Sequence, residues 1–170
     1  MKTFPVIFLD FDGVLTSMSH SPSSFLNHSP NSYGISGPCL KRLRSLIDET
    51  GAKVVISSNW RRFPDDGKWR FNGMIYGNKL PELRSLLGGS YIGTLPAVRG
   101  ISKSEALRIW FTDKGVDLKK AKYAILDDQC EQEGYLNDGD FAKRCINTDA
   151  MTGLTDEDCE KARGFLAFAI

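Results

Sequence analysis

Two aspartates, Asp10 and Asp12, follow the apolar run from Phe4 to Leu9 and precede Gly13. A spacing of two at the end of an extended strand turns both side chains toward one cleft. Carboxylates this close repel each other, and a divalent cation is the natural relief. A second acidic pair, Asp127 and Asp128, ends another apolar run, Tyr123 to Leu126. Either member, added to Asp10 and Asp12, gives a set of hard oxygen donors suited to Mg²⁺, which keeps some waters and takes a phosphate oxygen. The cation also screens a phosphate dianion from an approaching carboxylate. The chemistry that follows is phosphoryl transfer, with Asp10 as a nucleophile that forms an aspartyl-phosphate. Asp12 would protonate the leaving oxygen and later activate water.

Three further residues suit a phosphate. Ser57 and Ser58 end the apolar run Lys53 to Ile56, where a hydroxyl reaches a phosphate oxygen. Lys103 lies in Ser102-Lys103-Ser104-Glu105, a capping box that predicts a helix start. An ammonium in a first helical turn opposes the usual dipole preference and, with the helix N-terminus, favours an anion.

These groups need elements to hold them. Phe4 to Leu9, Lys53 to Ile56 and Tyr123 to Leu126 read as fully buried strands; Tyr91 to Leu95 and Arg144 to Asn147 read as weaker ones. Between them come helical patterns. Pro38 opens one with Leu40, Leu43, Leu46 and Ile47 on its apolar face and Gly51 as its stop. Pro81 opens a short one with Leu83, Leu86 and Leu87 inward. The helix at Ser102 buries Ala106, Leu107, Trp110 and Phe111. Thr155 with Asp158 caps the last, which carries Ala162, Leu166 and Ala169. Buried strands alternating with helices predict an α/β fold: a three-layer, Rossmann-like, mainly parallel sheet with helices on both faces. Ligands in such sheets sit at the carboxyl ends of the strands, so the acidic pairs and the serines should converge on one edge.

The 170 residues fit one domain, and 41% hydrophobic content supplies a core. A formal net charge of +1 gives no global pull toward nucleic acid or membrane. No secretory leader or membrane span is expected, and a cytoplasmic protein is the default. Cys39, Cys130, Cys145 and Cys159 form no C-x-x-C pair and read as free thiols. Residues 16–36, rich in Ser, Pro and Asn and holding His20 and His28, read as a loop that could close over the site. Residues 60–79 read as a small cap insert. Its stretch Trp60, Arg61, Arg62, Phe63, Lys68, Trp69, Arg70 and Phe71 mixes cations with aromatics. One reading is a substrate wall in which Trp60 and Arg61 touch nucleotide bases and phosphates. The other, slightly favoured, is a small cap packing its own aromatics.

The run FLDFDGVL, Phe8 to Leu15, resembles the first signature of the haloacid dehalogenase-like superfamily. Ser57 at a strand end, Lys103 at a helix start and the acidic pair in ILDD follow in the family's order. The resemblance implies a HAD-like fold with minimal caps, Asp10 as nucleophile, Asp12 as general acid/base, Ser57 and Lys103 as phosphate binders and Asp128 as metal ligand. It also implies a metal bond from the Asp12 backbone carbonyl. The second aspartate favours phosphatases over dehalogenases. ISSNWR, YIGTLP and GLTDED are similar to segments of small phosphatase-like domains of RNA-repair proteins.

The expected activity is therefore Mg²⁺-dependent hydrolysis of a phosphomonoester, with a nucleotide or nucleic-acid terminal phosphate as the favoured substrate. Two competitors share part of the inventory. A receiver-type signalling domain is phosphorylated on Asp without turnover, but its lysine ends the last strand, whereas Lys103 opens a helix. A nucleic-acid-binding module with a vestigial site would not need its acids intact. A P-loop kinase is disfavoured, since no G-x-x-x-x-G-K-[ST] occurs.

Overall fold

The computed structural model describes residues 4–17, 34–71 and 74–167, with backbone alone for 69–71 and 74–76. His20, His28 and Ala169, with most of the 16–36 loop, lie outside the described residues, as do the side chains of Trp69, Arg70 and Phe71. The strands, in chain order, are β1 (Val6–Leu9), β2 (Lys53–Ile56), β3 (Lys68–Phe71), β4 (Met74–Gly77), β5 (Tyr91–Thr94), β6 (Tyr123–Asp127) and β7 (Cys145–Asn147). The helices are α1 (Gly37–Thr50), α2 (Leu80–Leu87), α3 (Lys103–Asp113), α4 (Gly139–Ala142) and α5 (Asp156–Leu166).

Five strands form one parallel sheet in the order β5-β2-β1-β6-β7. β1 lies in the middle and all four of its residues are buried. A strand covered on both faces has no solvent side, hence the continuous apolar run. Alternation survives as a choice between two cores. Ile7, Leu9, Val54, Ile56, Ala124 and Leu126 face one, with Leu43 and Leu46 of α1, Leu83 of α2 and Ala162 of α5. Val6, Phe8, Val55, Tyr123 and Ile125 face the other, with Leu107, Trp110 and Phe111 of α3 and Phe141 of α4. The sheet is thus sandwiched between helices, as the sequence pattern predicts.

Register sets the site. Leu9 lies opposite both Ile56 and Leu126. The ladder continues one step past β1: Asp10 N–H donates to Leu126 O at 2.9 Å, and Ser57 N–H donates to Leu9 O at 2.8 Å. Asp10, Ser57 and Asp127 are therefore neighbours along one sheet edge, one strand spacing apart.

Local signals act as read. Ser36 caps α1, Pro38 occupies its first turn, and Gly51 ends it at φ 65°. Both capping boxes are present, Ser102 with Glu105 on α3 and Thr155 with Asp158 on α5. On α2, Leu80 is buried with Leu83 and Leu87, while Leu86 is only partly covered. The 60–79 stretch, irregular in pattern, holds a 3₁₀ turn at Asn59–Arg62 and an antiparallel hairpin of β3 and β4. Among the described residues, no helix is long and apolar enough to cross a membrane.

One expectation is corrected. Cys130 and Cys145 are joined in a disulfide, and only Cys39 and Cys159 are free thiols. Local spacing hid the pair, because β6 and β7 run side by side and bring the chain after one strand within 6.6 Å (Cα to Cα) of the other. The thiol-based ground for a reducing compartment is removed.

The capping box at Ser102 anchors the first turn that carries Lys103. Ser102→Ala is expected to lower stability by about 1 kcal/mol, read as a lower urea midpoint with an unchanged slope.

Candidate active site

Three carboxylates meet at the sheet edge. Asp10, Asp127 and Asp128 each place an oxygen within 4.8 Å of the others. Asp10 follows β1, and its Oδ1 accepts from the Phe11 N–H at 2.7 Å, which turns the side chain over the strand end. Asp127 ends β6 and is fully buried; its Oδ1 accepts from Gln129 N–H at 2.9 Å. Asp128 is partly exposed. Its closeness to the first loop depends on Gly13, at φ 69°, where a Cβ would lie 2.4 Å from the Asp128 carboxylate carbon. Glycine alone combines that backbone conformation with that contact. Thr148 Oγ1 donates to Gly13 O at 2.8 Å and locks the turn against β7.

Lys103 enters from α3 and is 1% exposed. Its Nζ donates to Asp10 Oδ2 at 2.5 Å and to Asp127 Oδ2 at 2.7 Å, with Glu133 Oε1 at 3.7 Å. Burial works against this ammonium, but Asp10 and Asp127 together hold its pKa above the ordinary lysine value. One cation cannot compensate every acid. Burial, and then the Asp10 charge, push Asp127 up to about 7 despite Lys103. Asp128 is raised for the same two reasons. Asp12, partly exposed, is raised to about 6, mainly by burial. Its Oδ2 accepts from the Trp60 indole N–H at 2.7 Å, while Oδ1 is buried without a partner among the described residues.

The structure brings Asp10, Asp12, Ser57, Lys103, Asp127 and Asp128 to one edge. Ser57 is fully buried, and its hydroxyl has no partner among the described residues. A buried hydroxyl left without a bond is costly, and an arriving oxyanion would satisfy it. Ser58 Oγ accepts from Trp60 N–H as the cap of the 3₁₀ turn. Trp60 and Arg61, named as candidate substrate contacts, lie inward. They are 6% and 8% exposed. Arg61 Nη1 donates to the carbonyls of Ser57 at 2.7 Å and Ser58 at 3.1 Å, and Nε to Pro96 O at 3.3 Å. It clamps the loop after β2 to the loop after β5. Burial first, and the neighbouring Arg62 second, lower its pKa.

Two residues that carry no motif also reach the site. Glu133 approaches Lys103 and accepts from Asn59 Nδ2 at 2.8 Å, which ties the loop after β6 to the loop after β2. Tyr135 is fully buried, its hydroxyl without a partner among the described residues. Burial first, then Asp127 and Asp10, raise its pKa. Each sits in a loop with no spacing signal, and only the fold places them.

Oxygen-only donors of this charge fit a hard divalent cation. Without one, Lys103 is the cation that bridges Asp10 and Asp127. Lys103→Met should leave those carboxylates uncompensated and cost about 3–5 kcal/mol. Urea denaturation measures the loss, and added Mg²⁺ should recover part of it.

The family described as “HAD domain in Swiss Army Knife RNA repair proteins” matches residues 6–159. No curated protein and no solved structure matches the chain. The matched region runs from β1 into α5 and takes in the whole parallel sheet with its acidic edge. By that match, the chain belongs to the HAD domain family of Swiss Army Knife RNA repair proteins.

Proposed function

We propose that this chain is a Mg²⁺-dependent phosphomonoester hydrolase that works through an aspartyl-phosphate on Asp10. The observation that carries the reading is the Asp10 carboxylate, buried at the end of the central strand, held by Lys103 and within 4.8 Å of Asp127 and Asp128. Nothing in the packing of a strand end calls for three acids together. Phosphoryl transfer does, since it needs positioned charge more than covalent machinery.

Asp10 and Asp128 would hold the cation, with the Asp12 backbone carbonyl as the family resemblance implies. Asp127, fully buried and accepting from Lys103 and from Gln129 N–H, would steady Lys103 and the loop beside it. The bound cation supplies charge that screens the phosphate dianion and stabilises its oxygens. Ser57 Oγ donates to a non-bridging phosphate oxygen, and the Lys103 ammonium balances the charge that collects there. An Asp10 oxygen forms a bond to phosphorus as the ester P–O bond breaks. Asp12 gives its proton to the departing oxygen. Water then attacks phosphorus, Asp12 takes the water's proton, and the acyl-phosphate P–O bond breaks to release phosphate and restore Asp10. An acid whose pKa lies near 6 is matched to giving and regaining a proton near neutrality.

The substrate we propose is a nucleotide or a nucleic-acid terminal phosphate. The family's RNA-repair setting supports it, as does the exposed Arg62 beside the site's loops. The hairpin of β3 and β4 is the insert that would serve as a minimal cap.

Wild-type protein should release phosphate from an aryl phosphate only with Mg²⁺, and chelation should abolish turnover. Asp10→Asn should lose roughly three orders of magnitude or more in kcat, as expected when a nucleophile is removed. Full activity in that variant or in the chelated enzyme rejects the proposal. A panel of terminal 3′- and 5′-phosphates, mononucleotides and sugar phosphates ranks the substrates by kcat/KM. Gly13→Ala should displace Asp128 and weaken Mg²⁺ binding by about tenfold or more, measured by calorimetry.

A further inference from the structure

We infer that Trp60 is a positioning residue for the acid/base group: its indole N–H fixes Asp12 by Oδ2 and leaves Oδ1 to carry the proton. The inference rests on the reading of Asp12 as the proton donor and acceptor in ester hydrolysis. Trp60 is one of three tryptophans, and it stands three residues after Ser57, on the 3₁₀ turn Asn59–Arg62. Its ring packs in the core beneath the sheet edge, and 6% of the residue is exposed. Its backbone is fixed as well. Ser58 Oγ accepts from its N–H, and its carbonyl accepts from Phe63 N–H at 3.1 Å and Asn78 Nδ2 at 3.4 Å. A ring held this way presents its N–H in one direction, and that direction ends at Asp12 Oδ2, 2.7 Å away.

The chemistry of the donor matters. An indole N–H donates and cannot accept. It can therefore orient a carboxyl group without competing for the proton that the group must deliver. With Oδ2 accepting from the indole, the proton of the neutral acid belongs on Oδ1. That oxygen is the buried one with no partner among the described residues. A phenylalanine would fill the same core volume without this handle, so hydrophobic packing alone does not account for a tryptophan with its N–H on a site acid. The loop after β2 thus contributes twice, through the Ser57 hydroxyl and through Trp60 acting on Asp12.

The test replaces Trp60 by benzothienylalanine, which keeps the ring shape and exchanges N–H for sulfur, with Trp60→Phe as the encoded counterpart. Proton delivery matters most for a poor leaving group. Kcat on an alkyl phosphate such as a nucleoside monophosphate should fall roughly tenfold or more, a part of the roughly 10²–10⁴-fold that general acid–base catalysis contributes. The initial release of para-nitrophenolate from its phosphate ester should change far less, and KM should hold on both. The contact is read separately by NMR: the Trp60 indole N–H signal should move upfield and exchange faster in Asp12→Ala. Equal losses on both esters, unchanged kcat on the alkyl ester, or an indole signal indifferent to Asp12→Ala overturns the role. Wild-type protein that hydrolyses no phosphoester overturns the hydrolase reading and this catalytic role with it; the indole signal still reports whether the contact exists.

Discussion

A single buried ammonium between two carboxylates governs this structure. Lys103 is 1% exposed and bonds Asp10 and Asp127 at the end of the central strand, with Asp12, Asp128 and Glu133 close by. Taking charges out of water costs several kcal/mol per ion even after relaxation. Lys103 compensates Asp10 and Asp127, and the acids still outnumber the cation. That imbalance raises Asp12, Asp127 and Asp128 together, though burial is the larger cause for each. The same surplus of negative charge is what would draw a divalent cation to the edge.

The rest of the molecule can be understood as the frame for that cluster. The apolar strands β1, β2 and β6 are buried on both faces, and their burial offsets the cost of the charges at their ends. Parallel register brings Asp10, Ser57 and Asp127 abreast. The Ser102 capping box sets where α3 starts and hence where Lys103 enters. Local rules of stability are broken around the site, where Ser57, Asp12, Arg61 and Tyr135 keep buried polar atoms without partners among the described residues, as Ser17 and Arg84 do elsewhere. Such departures are expected at a functional site.

Four loops around the edge are tied to one another by side chains. Arg61 clamps the loops after β2 and β5, Asn59 and Glu133 join the loops after β2 and β6, and Trp60 holds Asp12 after β1. The Cys130–Cys145 bond fastens the chain just past Asp128 to β7. Reacting groups must be kept near their productive geometry, and ties from neighbouring elements do this better than loop stiffness alone. The same ties explain why the basic, aromatic stretch begins as scaffold: its first two members are buried within the frame.

The strands, the helix boundaries and the acids of the site were legible in the chain alone, because each leaves a local signal. Continuous apolar runs mark β1, β2 and β6, capping boxes mark α3 and α5, and two acids at the end of a buried strand are conspicuous. Their convergence also followed from the sequence, since parallel α/β sheets collect strand ends on one edge. Partnerships between distant segments were not legible. Trp60 and Arg61 turned out to face inward, and Cys130 to bond Cys145. Glu133 and Tyr135 had no motif at all. Those outcomes depend on which side chains the fold brings within a few ångströms, and residue spacing along the chain carries no record of that distance.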